Sequence, residues 1–157
     1  MFSKIAIAAT FALVSTVASA ADAPTKFYAG ADIGTTKAKG ESDRESGYGV
    51  FGGYNFTEQL AIEAGYRRLV SDDDGHLDQL SISAIGTIPL SNGFSVYGRL
   101  GVNRLAVKFD GDSGHINRGV YGIGMGYSFT PAISARIELQ KPMSDLTNLS
   151  AGVVFNF

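Results

Sequence analysis

Six side chains combine charge with a common spacing. Asp32, Glu63 and Glu138 are carboxylates, and Arg67, Arg99 and Arg136 are guanidinium groups. Glu63 and Arg67, and likewise Arg136 and Glu138, are an even number of residues apart, so an extended chain puts each pair on one face. Three acids against three bases can form a neutral ion-pair network, because arginine reaches far and meets a carboxylate with two parallel hydrogen bonds. The same set could instead line a gated polar path. A second group lies in Asp72-Asp73-Asp74-Gly75-His76 and Asp110-Gly111-Asp112-Ser113-Gly114-His115. Carboxylates with imidazole can hold a divalent cation, but the spacing lacks the further ligands and distal Glu of a calcium loop. Both segments read as solvated loops, and no metal is expected. The only two histidines are followed by Leu77-Asp78 and Ile116-Asn117, so neither opens a His-x-Ser hydrolytic arrangement. No catalytic residue, enzyme activity or cofactor is expected.

The elements that position these charges show a period of two. Before them, Lys4, the apolar run Ile5–Val17 and the small-residue site Ala18-Ser19-Ala20 read as a signal peptide over residues 1–20, leaving residues 21–157 as one domain. From residue 26 onward, apolar residues recur at every second position in eight segments. Leu60, Ile62, Ala64 and Tyr66 oppose Ala61, Glu63, Gly65 and Arg67. Phe94, Val96, Gly98, Leu100 and Val102 oppose Ser95, Tyr97, Arg99, Gly101 and Asn103. Ile133, Ala135, Ile137 and Leu139 oppose Ser134, Arg136, Glu138 and Gln140. Segments of about ten residues suffice to cross a bilayer when tilted. Connections at Asn55–Glu58, Leu90–Gly93 and Phe129–Ala132 are tight. Those at Thr36–Ser46, Val70–His76 and Val107–Ile116 read as longer polar loops, and Lys141–Thr147 as intermediate. With no cysteine there is no disulfide, and a net charge of −2 gives no basic excess to suggest nucleic acid.

Alternation does not say which face points outward. A soluble lipocalin-like barrel would turn the apolar face in. The apolar face here carries no charge at any strand centre, whereas the opposite face mixes Arg and Glu with small residues that fit a narrow interior. Phe27, Tyr54, Phe56, Phe94, Tyr127, Phe129, Phe155 and Phe157 gather at one end of the apolar face, as an interfacial girdle does. The expectation is an all-β, eight-stranded antiparallel up-and-down transmembrane β-barrel, with Asp32, Glu63, Arg67, Arg99, Arg136 and Glu138 in its lumen. Eight strands leave an interior that side chains can fill, so a narrow or plugged lumen is favoured over a small-solute pore. Export would put both termini and the tight turns on the periplasmic side.

The ending Ser150-Ala151-Gly152-Val153-Val154-Phe155-Asn156-Phe157 resembles the terminal β-signal of outer-membrane proteins, in which Ser150, Gly152, Phe155 and Phe157 match the pattern. Phe27-Tyr28-Ala29-Gly30-Ala31, Gly52-Gly53-Tyr54-Asn55-Phe56-Thr57 and Gly126-Tyr127-Ser128-Phe129-Thr130-Pro131 resemble the OmpA-like eight-stranded barrel family. The resemblance covers nearly all of residues 21–157 and lacks that family's peptidoglycan-binding domain, so cell-wall tethering is not carried over. It implies a bacterial outer-membrane location and a structural role in the envelope, with loop-mediated adhesion or ligand binding as an alternative. It implies as partners outer-membrane lipid and lipopolysaccharide, the barrel assembly machinery acting on the C-terminal strand, and periplasmic chaperones in transit. Deleting Phe157, or replacing it with Asp, is expected to lower the amount of inserted barrel in cells, measured by surface labelling. Unchanged levels would remove the assembly reading of this strand.

Overall fold

A computed structural model describes residues 26–72, 75–109 and 111–157. The segment assigned to a signal peptide, and Asp73, Asp74 and Asp110 of the acidic loops, lie outside the described residues. Eight strands follow one another: β1 Phe27–Ala38, β2 Glu45–Asn55, β3 Leu60–Asp72, β4 Gly75–Pro89, β5 Phe94–Phe109, β6 Asp112–Ser128, β7 Ile133–Met143 and β8 Leu146–Asn156. Each pairs antiparallel with the next, and β8 pairs with β1 to close the barrel. Closure leaves no sheet edge, the condition a sheet must meet in hydrocarbon. The described residues contain no helix.

The alternation resolves into an inverted protein. Ile33 is 72% exposed and Leu100 71%, with Leu80, Ile82, Val102, Ile123 and Ile137 also outward and exposed. Asp32, Glu63, Arg67, Arg99, Asn103, Glu138, Gln140 and Asn148 are buried. A soluble barrel would reverse this arrangement, so the apolar belt is the bilayer-facing surface.

Two aromatic clusters mark the end that carries the termini. Phe27, Tyr54 and Phe56 stack edge to face with ring centroids 5.0 and 5.2 Å apart. Phe94, Tyr127 and Phe129 form a second cluster, with a tilted contact at 4.8 Å and an edge-to-face one at 5.0 Å. The tight turns beside them share a device. Thr57 Oγ1 accepts from the backbone N–H groups of Gln59 and Leu60, and Thr130 Oγ1 from those of Ala132 and Ile133. The third turn uses left-handed Asn92 and Gly93 instead.

At the opposite end the connections differ from the expected long loops. β3 runs to Asp72 and β4 begins at Gly75; β5 runs to Phe109 and β6 begins at Asp112. Most of the polar stretches Val70–His76 and Val107–Ile116 is therefore strand, and Lys141–Thr147 folds into a hairpin around Ser144 and Asp145. Their Gly, Ser and Asp content suggested turns, but cross-strand pairing carries the ladder onward past the apolar belt. As a result β4, β5 and β6, at 15, 16 and 17 residues, are longer than the 11-residue β2, β7 and β8.

Inside, three aromatic rings each lie over a glycine on the paired strand: Phe51 over Gly30, Tyr28 over Gly53 and Tyr97 over Gly124. A Cβ at any of these glycines would fall inside the ring's volume. Gly124→Ala is expected to cost about 1–3 kcal/mol by overpacking, measured by urea unfolding of the detergent-refolded barrel. The cost should shrink when Tyr97 is already Leu. An equal cost in both backgrounds would contradict the ring-on-glycine contact.

Candidate functional site

The inward charges come from alternate strands: Asp32 from β1, Glu63 and Arg67 from β3, Arg99 from β5, Glu138 and the half-buried Arg136 from β7. Strands two apart in a sheet are roughly 9–10 Å apart, a span two long side chains bridge only if the strand between them stays low. Three lateral rows show how this is met. Tyr28, Gly53 and Glu63 are register partners, and the Tyr28 hydroxyl donates to Glu63 Oε2 at 2.9 Å above the glycine. Tyr97, Gly124 and Glu138 repeat the pattern, with Tyr97 donating to Glu138 Oε2 at 2.7 Å. Asp32, Gly49 and Arg67 do so again, with Arg67 Nη2 donating to Asp32 Oδ2 at 2.5 Å.

Glu63 is the hub of the network nearer the termini. Arg136 donates through Nη1 to Oε2 at 2.8 Å and through Nη2 to Oε1 at 3.1 Å, a bidentate bond across the lumen. Arg99 Nη2 donates to Glu63 Oε1 at 2.5 Å. The same guanidinium reaches the other way, its Nε to Glu138 Oε1 at 3.0 Å and its Nη2 to Glu138 Oε2 at 3.1 Å. Arg136 also stacks over the Phe51 ring, 3.5 Å from its centroid, which orients the fork and covers its face. Glu63 is 2% exposed and Glu138 1%. At such burial an unpaired charge is very costly; Glu63 meets two guanidinium groups and a phenol, and Glu138 one of each.

The network nearer the hairpin end centres on Arg67. Besides Asp32, its Nη1 donates to Gln140 Oε1 and Asn148 Oδ1, both at 2.7 Å. Asn148 passes the chain on by donating to Thr36 Oγ1 at 3.0 Å. Between the networks lies a void of about 20 Å³ bounded by Asp32, Glu63, Arg67, Gln79, Arg99 and Arg136, room for about one water molecule. Beyond Arg67, Leu69, Leu105, Val120 and Pro142 are fully buried, and Asn103 Nδ2 donates to Pro142 O at 2.9 Å. Toward the termini the lumen widens into a vestibule of about 630 Å³, with Tyr28, Tyr97 and Arg136 among the residues lining it.

All six charges singled out in the sequence thus lie in the lumen, in two groups. Tyr28, Tyr97, Gln140 and Asn148 bond to them and were not singled out. Their signal was present, since each shares the inward alternation of a charged residue on its strand or its neighbour. Of the terminal-strand residues, Ser150 points inward and is buried, and Gly152 sits against Asp32 where a Cβ would collide. Phe155 lies on the outer face beside Ala29. Phe157 exchanges two backbone hydrogen bonds with Phe27, at 2.8 and 3.1 Å, where the barrel closes. Among the acidic-loop residues, His76 Nε2 lies 3.5 Å from Asp78, and no group of three or more metal-binding side chains occurs among the described residues.

A closed antiparallel barrel with an apolar outside and a charged, neutralised inside defines a transmembrane β-barrel protein. Residues 6–157 match the family model described as the outer membrane protein beta-barrel domain. The chain belongs to that family and is a protein of the bacterial outer membrane. None of the curated proteins matches it. Among solved structures it is similar to the N-terminal β-barrel domain of Pseudomonas aeruginosa OprF, with 20% identity over 83% of this chain and 97% of that one and a TM-score of 0.62. Neisserial surface protein A gives 23% identity, coverage of 83% and 97%, and a TM-score of 0.60. Ail, the attachment invasion locus protein of Yersinia pestis, in complex with the heparin analogue sucrose octasulfate, gives 18%, 84% and 97%, and 0.59. At these identities the likeness is one of fold.

Glu63→Gln and Arg136→Gln are each expected to destabilise the refolded barrel, by up to roughly 3–5 kcal/mol, with water in the vestibule lowering that figure. The double variant should lose less than the sum, by about 0.5–3 kcal/mol. Full additivity in urea unfolding would mean that the two residues do not interact.

Proposed function

We propose that this protein is a structural barrel of the outer membrane whose polar lumen is closed. The observation that carries this reading is the network of Glu63, Arg99, Arg136 and Glu138, which joins three strands across the barrel and leaves a void of only about 20 Å³ above it. The buried Leu69, Leu105, Val120 and Pro142 support it, since a hydrated path would have to pass apolar side chains. The termini and tight turns lie on the periplasmic side in this reading, and the aromatic clusters sit at the inner-leaflet interface. Outer-membrane lipid, including lipopolysaccharide, surrounds the belt. The assembly machinery recognises β8, and chaperones carry the unfolded chain across the periplasm.

A second reading, contact with surface ligands, draws on the projecting ribbon. Residues 112–120 of β6 pair with β5 beyond the last β6–β7 partner, Tyr121 with Lys141. This extension, which β4 joins on the other side of β5, bears Arg104, Lys108 and His115 on one face and Arg118 and Asp112 on the other; the first three make a basic patch of the sort that suits a sulfated sugar such as the one held by Ail. The vestibule, by contrast, is the feature that a small-solute pore would use.

Planar-bilayer recording of the refolded protein tests the closed lumen. The expected result is no steady conductance above that of a protein-free bilayer. A stable open level would replace the closed reading with the pore.

A further inference from the structure

The outer face changes character in one step at the hairpin end. Along β1, β7 and β8 the outward residues run Ile33, Thr35, Lys37; Ile137, Leu139, Lys141; and Ala151, Leu149, Thr147. Lys37 is the register partner of Thr147. Lys141 flanks Thr147 on the other side, where the β7–β8 register shifts after Gln140 and Asn148. The two lysines therefore stand on either side of Thr147, one side-chain repeat beyond the exposed apolar Leu139 and Leu149. Lys39 stands above Lys37, and its backbone N–H donates to Asp145 O at 2.8 Å, which ties the β1–β2 turn to the β7–β8 hairpin. Between these segments is a cleft of about 480 Å³ whose lining includes Lys37, Lys39 and Lys141, the hydroxyls of Ser144 and Thr147, and the carboxylates Glu41 and Asp145.

Among the described residues, none of the three lysines has a carboxylate within ion-pair distance, although Glu41 and Asp145 also line the cleft. Other odd-numbered strands repeat the outward cation at this end, with Arg68 on β3 and Arg104 on β5. The outward acid there, Asp78, is held by Arg68 at 2.8 Å. The outward side chains just above the apolar belt thus include Lys37, Arg68, Arg104 and Lys141 against Asp78, while Glu41, Asp43, Glu45, Asp112 and Asp145 lie at the same end.

We propose that this cleft binds the phosphate group of a phosphorylated lipid headgroup in the outer leaflet. The inference rests on the orientation proposed above, with the hairpin end facing the cell exterior. Depth selects a lipid as the source: acyl chains lie on Leu139 and Leu149 while the headgroup stands level with Lys37 and Lys141. The lysine stems rise along the apolar surface and present their ammonium groups at that level. A compact ammonium binds phosphate as a point charge, and the Ser144 and Thr147 hydroxyls supply neutral donors. Three lysines against two carboxylates suit one phosphate group rather than a polyanionic chain.

The test uses the refolded protein in zwitterionic micelles, titrated with phosphorylated lipid A, with dephosphorylated lipid A and with inorganic phosphate. Amide NMR shifts of Lys37 and Thr147 are followed. Phosphorylated lipid A is expected to give saturable shifts at those residues. The combined variant Lys37→Gln, Lys39→Gln and Lys141→Gln should raise the half-saturating concentration by roughly fivefold for each lysine replaced. Lys26→Gln, in the vestibule, should leave it unchanged. Equal half-saturation with dephosphorylated lipid A, or unchanged binding by the triple variant, overturns the proposal. Saturation by inorganic phosphate at the same concentration overturns the lipid assignment. Orientation is checked separately by labelling Asp43→Cys, exposed in the same β1–β2 connection, on intact cells. Labelling from outside supports the orientation; its absence overturns that reading, and the inference with it, whatever the micelle titration gives.

Discussion

The constraint on which the rest depends is that a barrel with hydrocarbon outside must neutralise its own interior. A charge in that lumen has little solvent and no route outward through the wall, so each must meet its opposite within side-chain reach. Glu63 answers this most fully. It accepts from Arg99, from both terminal nitrogens of Arg136 and from Tyr28, and so gathers β1, β3, β5 and β7 about one carboxylate.

This requirement accounts for a division of labour between strands. The lumen charges fall on odd-numbered strands, and the even-numbered strands between them present Gly, Ser, Gln, Asn and a few apolar residues inward. Gly49, Gly53 and Gly124 lie beneath the bridges Asp32–Arg67, Tyr28–Glu63 and Tyr97–Glu138. Glycine there is needed for close approach, since a Cβ would stand in the path of the bridging groups. These three glycines thus have a structural reason in a sheet, where glycine otherwise weakens the strand. The outer rim follows the same alternation of strands, with Lys37, Arg68, Arg104 and Lys141 again on odd-numbered ones.

Much of this was legible in the sequence. Period-two alternation reports face directly, and a one-residue error would have turned Glu63 toward lipid, so the inward set could be read from pattern alone. The split into two networks was not legible, because it depends on register between strands that are distant in sequence. Arg136 meets Glu63 across the lumen, 73 residues away, and no local signal encodes that. Tyr28 and Tyr97 were hidden for another reason. As aromatics on a mostly small and polar face they looked like exceptions, and their role emerges only with the glycines beside them. The extended β4–β6 ribbon was missed because its Gly, Ser and Asp content has the signature of loops, although paired strands outside the membrane tolerate the same composition.

The central claim is that the lumen is sealed by guanidinium–carboxylate bonds shielded from water. Proton exchange at the arginine side chains tests it most directly, by NMR of the refolded barrel in lipid nanodiscs. The account predicts resolved, slowly exchanging Nε–H and Nη–H signals for Arg99, whose side chain is 3% exposed, with slow rotation of its guanidinium group. Arg104, outside the lumen, should exchange at the solvent rate. Rapid, solvent-averaged exchange at Arg99 would mean that water reaches the network freely, and would contradict the seal.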